Sequence, residues 1–377
     1  MRPRAEQLAS GVALALALAL GGCRGAARGA CDPTPPAGRV GSLCGFHDPE
    51  DVEVVAGAGL LVVSEMHGAA GGPGALAGIS LEAAAQGDAT SRRLWPRDAA
   101  DAEGPGPGVP LVGDPACAMP PAAGAFAPHG LGSTLLPRGP WRLAVVSHAP
   151  REAIELFDLS GRGDDASLRW RGCVPLPHGA SGNDVAFTRD GGLVVSDFVP
   201  TSQGLRGRLW MLAAGAGIPT GKLLVWSRDE GWRHVPGTRA AGPNGVAASP
   251  DGSFLFYAET GRGRIVRVPR AGLAPGQMPA VATIGGLPDN LAWTSSGTLL
   301  AVSHTDGLAF LGCAFGRSPC RSGWALFEVD PITLHVTPDL RHDGSAVGAV
   351  ASAAQWGRHF FFGAVFGDRI GVWAPAP

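Results

Sequence analysis

Five short segments of the sequence open on acid, amide or imidazole side chains and then run into alternating apolar residues. They contribute Glu50 and Asp51, His129, Asn183 and Asp184, Asn244, and Asp289 with Asn290. Nearly every polar atom in this set is an oxygen. Gathered in one place away from water, such carboxylates and amides are costly unless something offsets their charge. A hard cation does so, and calcium accepts about six to eight oxygens from flexible sets of carboxylates, amides and waters. Magnesium demands a tighter octahedron, and zinc favours nitrogen or sulfur. Taken singly, each residue reads as a turn or cap. Their common register across five units points instead to a calcium centre.

A repeat must position them. Units begin at Pro49 (PEDVEVVAGAGLLVVSE), Pro128, Gly182, Pro243 and Pro288, and a degenerate sixth copy begins at Val347. Each has a polar head, a short alternating strand, a glycine-containing turn and a more apolar second strand. Six such hairpins predict an all-β chain, a six-bladed β-propeller with axial calcium sites. The first strand of each hairpin is expected innermost, with its head at the channel. The second is expected between neighbouring blades, which accounts for its continuous apolar character. The runs IELFDL, GRLWML, GRIVRV and GWALFEV are expected to supply outer strands. RDGG at Arg189 and SPDG at Ser249 read as hairpin turns with structural aspartates. Residues 97–124 read as a surface insertion in the first blade.

Composition narrows the class. The chain has 377 residues, 45% of them hydrophobic and 16% charged, with 58 Gly, 33 Pro and a formal net charge of -2. That punctuation favours strands and turns over helices. Without a sustained Lys/Arg stripe, nucleic acid is not an expected partner. No GxSxG elbow is present, and GAGIPTGK, ending at Lys222, lacks the spacing and following Ser or Thr of a phosphate loop.

The first residues read as an export signal. Arg2 and Arg4 precede an apolar stretch too short to span a bilayer. It ends in LGGC, which resembles the lipobox of bacterial lipoproteins and marks Cys23 for lipidation. Residues 1–23 are thus expected to be a lipoprotein signal peptide, 24–43 a flexible tether and 44–377 the propeller. The expected location is the periplasmic face of the cell envelope, membrane-anchored through Cys23, with secretion as the alternative. Six further cysteines suggest disulfides in an oxidising compartment. Cys313 and Cys320 bracket a short loop; Cys31, Cys44, Cys117 and Cys173 allow three pairings.

With these elements in place, the chain resembles the paraoxonase/arylesterase family of calcium-dependent six-bladed propellers, and more distantly gluconolactonase and strictosidine-synthase-like propellers. PEDVEVV, FAPHGLG, LAVVSHAPREAIELF, NDVA, NGVAASPDG, DNLAW and GAVFGDRI carry the resemblance from about Gly45 to Trp373. FAPHG followed by VVSHAP is its most specific part. The resemblance implies two stacked calcium ions. Glu50, Asn183, Asn244, Asp289 and Asn290 would hold a catalytic one. Asp51, Asp184 and the carbonyl of Leu131 would hold a deeper structural one. It also implies a general base at His129, a dyad partner at His148 and a substrate contact at His304. Expected substrates are small-molecule lactones or aryl esters.

The sequence departs from that pattern in three places. Gly242 and Pro243 precede Asn244 where the family carries bulky aromatics, and the chain has one tyrosine, Tyr257. No cysteine follows Cys320, so the family's ring-closing disulfide gives way to closure by strand pairing. Two other readings fit the repeat: a non-catalytic, calcium-stabilised binding propeller, and a single-metal sugar-lactone hydrolase of the gluconolactonase kind.

Overall fold

Six repeat hairpins grow into six four-stranded antiparallel sheets in the computed structural model. It describes residues 30–376 apart from 67–72, 89, 99–100, 102–103, 106–107 and 201–203. The export signal and Cys23 lie outside these residues. The six first strands are Pro49–Val55, Pro128–Leu135, Gly182–Phe187, Pro243–Ala248, Leu287–Trp293 and Val350–Trp356. Each neighbours the next around the axis, and the sixth neighbours the first. The all-β propeller is therefore observed.

Strand periodicity builds the walls between blades. In blade one, Leu60 and Val62 face the core shared with blade two. Leu61 and Val63 face the core shared with blade six. The same alternation recurs at Leu143 and Val145 against Ala144 and Val146, and at Leu300 and Val302 against Leu299 and Ala301. A strand clamped between two sheets has no wet face, so consecutive positions of both parities are apolar along its middle. The buried apolar side chains fall into six clusters, one at each junction of neighbouring blades.

All six first strands carry a register irregularity at the same height. It falls between Pro49 and Asp51, Pro128 and Leu131, Gly182 and Val185, Pro243 and Val246, Pro288 and Leu291, and Val350 and Ser352. One extra residue enters each time, bending the strand and re-aiming the side chains beside it. Those side chains are the polar heads of the repeat. In blade six the corresponding pair is Ala351 and Ser352. Ala351 adds no polar group beside Glu50, while Ser352 Oγ donates to the Glu50 carbonyl at 2.9 Å and accepts from Val52 N at 3.2 Å.

The structure corrects three boundaries. Gly41–Cys44 pairs antiparallel with Arg369–Trp373, completing blade six. Residues 41–43 thus belong to the ring and not to a tether; Leu43 is fully buried. GRLWML lies within the helix Gly204–Gly215, and the third strand of blade three is Lys222–Ser227. Its Leu, Arg, Met and Ala residues favour helix, and no β-branched residue opposes it. Residues 108–124 lie against blade two instead of hanging from blade one. Val112 N donates to Arg171 O at 2.8 Å, and Cys117 is bonded to Cys173. The other disulfides are Cys31–Cys44 and the expected Cys313–Cys320.

Near the axis the first strands approach so closely that only glycine fits at Gly130, Gly132 and Gly245, of which the first and last adjoin the polar heads. A methyl group at Gly130 would stand 2.5 Å from the Asn183 carbonyl oxygen, and one at Gly245 2.5 Å from the Asn290 Cα. Both obstacles are backbone. Gly245→Ala is therefore expected to destabilise the fold by about 1–3 kcal/mol, the usual cost of overpacking. Thermal or urea unfolding checks this; a stability equal to that of the parent chain would refute the close approach.

Candidate functional site

The irregular register delivers Glu50, His129, Asn183, Asn244, Asp289 and Asn290 from five blades to one end of the channel. Glu50 is 1% exposed and Asn290 4%, and Asn183, Asn244 and Asp289 are also buried. Asn290 Nδ2 donates to Glu50 Oε1 at 3.0 Å, linking blades five and one. His129 Nε2 lies 3.6 Å from the same Glu50 oxygen.

Hydrogen bonding in this layer is conspicuously incomplete. Glu50 Oε2, Asn183 Oδ1, Asn244 Oδ1 and Asn290 Oδ1 are buried without a donor in reach. Each such acceptor costs about 1–3 kcal/mol if left so. All four are oxygens, and they come from four blades. This donor set fits a hard cation, which would take the lone pairs that no N–H approaches. Among the described residues no trio of His, Cys, Asp and Glu is arranged to hold a metal alone. The candidate centre draws on amide oxygens instead.

Asp51 and Asp184 are differently placed. Asp51 Oδ1 accepts from Val52 N at 2.8 Å, and its Oδ2 accepts from Leu131 N in the next blade at 2.6 Å. Asp184 repeats the arrangement with Val185 N and, across to blade four, Val246 N, both at 2.7 Å. These carboxylates stitch neighbouring blades together. At Leu131 it is the N–H that engages Asp51, leaving the carbonyl as the atom a deeper ion would use.

Burial dominates the electrostatics. It pushes Glu50 well above the usual carboxylate range, with Asp51, Asp289 and Asp184 adding repulsion. Burial likewise raises Asp51 to about 7, against the opposing backbone bond from Leu131. Asp184 is raised by burial and by Asp51. Glu53, one turn of the pleat further along, is raised to about 7 by burial and accepts from Ser133 Oγ. On the imidazole side, burial and then the neighbouring His148 push His129 down to about 3, which keeps the ring neutral.

The two histidines meet. His129 Nδ1 lies 2.9 Å from His148 Nε2, and His148 Nδ1 lies 3.0 Å from Glu152 Oε2. Glu152 escaped the sequence reading because it sits in a loop outside the repeat. His304, expected at the rim, is 2% exposed and covered by Phe310, with ring centroids 4.2 Å apart. Its Nε2 bonds Asp289 Oδ2 at 2.8 Å, so it holds an acid of the centre in place.

No family model matches the chain. Over 116 residues it is 34% identical to the adipocyte plasma membrane-associated protein of Rattus norvegicus, covering 30% of each chain. It is 27% identical over 165 residues to strictosidine synthase-like protein 10 of Arabidopsis thaliana, covering 43% of this chain and 44% of that one. Its relatives are strictosidine-synthase-like and adipocyte plasma membrane-associated proteins. The match spans less than half the length of either relative. Among solved structures, a luciferin-regenerating enzyme superposes with a TM-score of 0.52 at 12% identity, covering 89% of this chain and 95% of that one. A gluconolactonase from Xanthomonas campestris gives 0.51 at 16%, covering 89% and 90%. At such identities the likeness is one of fold.

A pH dependence follows from the acids. Asp51 has an ordinary value of 3.8 and about 7 in the folded, metal-free chain. The folded state thus holds its proton more tightly, and the associated stability is present below the ordinary value and lost as pH climbs through the folded one. The melting temperature of chelator-treated protein is expected to fall from about pH 5 to about pH 8, and added calcium to reverse most of the fall. A melting temperature that rises over that interval in chelator would contradict the burial of these acids.

Proposed function

We propose that the protein is a calcium-dependent hydrolase of lactones or aryl esters, of the paraoxonase/arylesterase kind. One observation carries the reading: four buried oxygens without donors, from four blades, sit beside a histidine pair whose channel-side ring, His129, burial keeps neutral. Glu50, Asn183, Asn244, Asp289 and Asn290 would hold the catalytic ion. Asp51, Asp184 and the Leu131 carbonyl would hold a second, structural one; each carboxylate keeps lone pairs beyond the backbone bonds it accepts. When bound, calcium polarises the substrate carbonyl and favours the negative charge that builds on its oxygen.

The chain's own residues supply the rest. His129 is neutral and lies at the channel, so it can take a proton from an attacking water. His148 orients that ring from behind. His304 holds Asp289, and through it bears on the substrate mouth. The Xanthomonas campestris protein of the same fold is described as a gluconolactonase, which agrees with a lactone substrate. The three disulfides support an exported protein; the lipid tether at Cys23 is part of the proposal on its sequence alone.

A second reading has its own support. The Asp51 and Asp184 bonds to the next blade suit a cation that only stabilises the ring. A chain that binds calcium yet hydrolyses none of a panel of lactones and aryl esters would favour that reading.

Excess chelator is expected to abolish hydrolysis and lower the melting temperature, with both restored by calcium. Full hydrolysis in excess chelator would exclude the proposal. His129→Gln is expected to leave calcium bound while reducing kcat by about 10²–10⁴-fold, the usual worth of a general base. Steady-state kinetics beside a calcium titration separates the two effects.

A further inference from the structure

The imidazole pair ends on a carboxylate, and that fixes where every proton in it sits. His148 Nδ1 is 3.1 Å from Glu152 Oε1 and 3.0 Å from Oε2. An ionised carboxylate only accepts, so His148 Nδ1 carries the hydrogen. A neutral ring has a single N–H, which leaves a lone pair on His148 Nε2. That nitrogen is 2.9 Å from His129 Nδ1, which must therefore donate. The last nitrogen, His129 Nε2, is left with a lone pair at the channel. Glu50 Oε1, at 3.6 Å, is beyond hydrogen-bond reach of it.

The loop that carries Glu152 is itself held. Leu176 N donates to the Glu152 carbonyl at 2.9 Å, and Ser147 Oγ donates to the Ala149 carbonyl at 3.0 Å. Ser181 Oγ, from the edge of blade three, reaches Glu152 Oε1 at 3.3 Å. The carboxylate is thus supported from the neighbouring blade as well as its own.

We infer that Glu152 is a positioning residue, whose carboxylate sets the tautomers of both rings and thereby makes His129 Nε2 the basic atom. The inference rests on the hydrolase reading for its kinetic consequence but not for its proton assignment. A glutamine at 152 could donate its own N–H to His148 Nδ1. The order would then reverse, with Nε2–H on both rings, and His129 would present a hydrogen to the channel where a base is needed. A wrong tautomer of this sort costs about 10⁴ in kcat in a hydrolase whose histidine is oriented by a carboxylate.

The test is ring ¹⁵N NMR of the calcium-loaded, full-length protein, with kinetics on one aryl ester and one lactone. In the parent chain both Nδ1 atoms are expected to be protonated and both Nε2 atoms bare. Glu152→Gln is expected to invert that pattern and lower kcat at least about 10²-fold, with calcium stoichiometry unchanged. Glu152→Asp is expected to keep the parent tautomers. A proton on His148 Nε2 in the parent overturns the assignment even if no variant folds. Parent tautomers together with a kcat within about twofold in Glu152→Gln overturn it as well. If the parent hydrolyses nothing, the hydrolase reading fails, while the NMR pattern still decides the place of Glu152.

Discussion

Carbonyl and carboxylate oxygens crowd the axis of this ring, and the backbone has no N–H to give four of them. Most other buried polar atoms are paired, as is usual, and the exceptions, such as Ser64 Oγ, Trp95 Nε1 and Trp373 Nε1, are scattered instead of gathered in one layer. Asp51 and Asp184, only a residue away from this layer, each accept two backbone N–H groups. The contrast lies within one channel and one burial regime. One set of oxygens joins blades; the other is left without a donor. The first set gives the second its rigidity, because the bonds from Leu131 and Val246 fix the angle between neighbouring inner strands.

Geometry of this kind arises from a modest device used six times. An extra residue at the same height in each inner strand breaks the pairing just where the chain reaches the axis. Without it, successive side chains would simply alternate between the faces of the blade. With it, neighbouring residues such as Asn183 and Asp184 serve different layers. Gly130 and Gly245 let the adjoining strands close in beside the residues that carry the polar heads. Position and chemistry are thus coupled through backbone irregularity.

Much of this was legible in the sequence. Polar residues that interrupt an apolar alternation at a fixed place mark the inner strands, and consecutive apolar residues mark the strands wedged between blades. The segments that escaped were those without periodicity. Gly41–Cys44 is four residues with a glycine and a cysteine, and its partner lies at the far end of the chain. GRLWML is apolar without alternating, which leaves strand and helix undistinguished until its surroundings are known. Glu152 belongs to a loop, where no repeat constrains the residue type. His304 was placed among the chemical residues, but its burial beneath Phe310 depends on a helix, Gly307–Ala314, outside the repeat.

The closure of blade six by Gly41–Cys44 also orders events in time. Five blades are made from continuous stretches of chain and can form their sheets as those stretches become available. The sixth joins Gly41–Cys44 to Arg369–Trp373, so that sheet cannot be complete until the chain has been made as far as Trp373. Until then the apolar wall of blade one that faces blade six, with Leu61 and Val63, stays uncovered. The interval between finishing blade five and docking the last strands is when this protein is most exposed to aggregation.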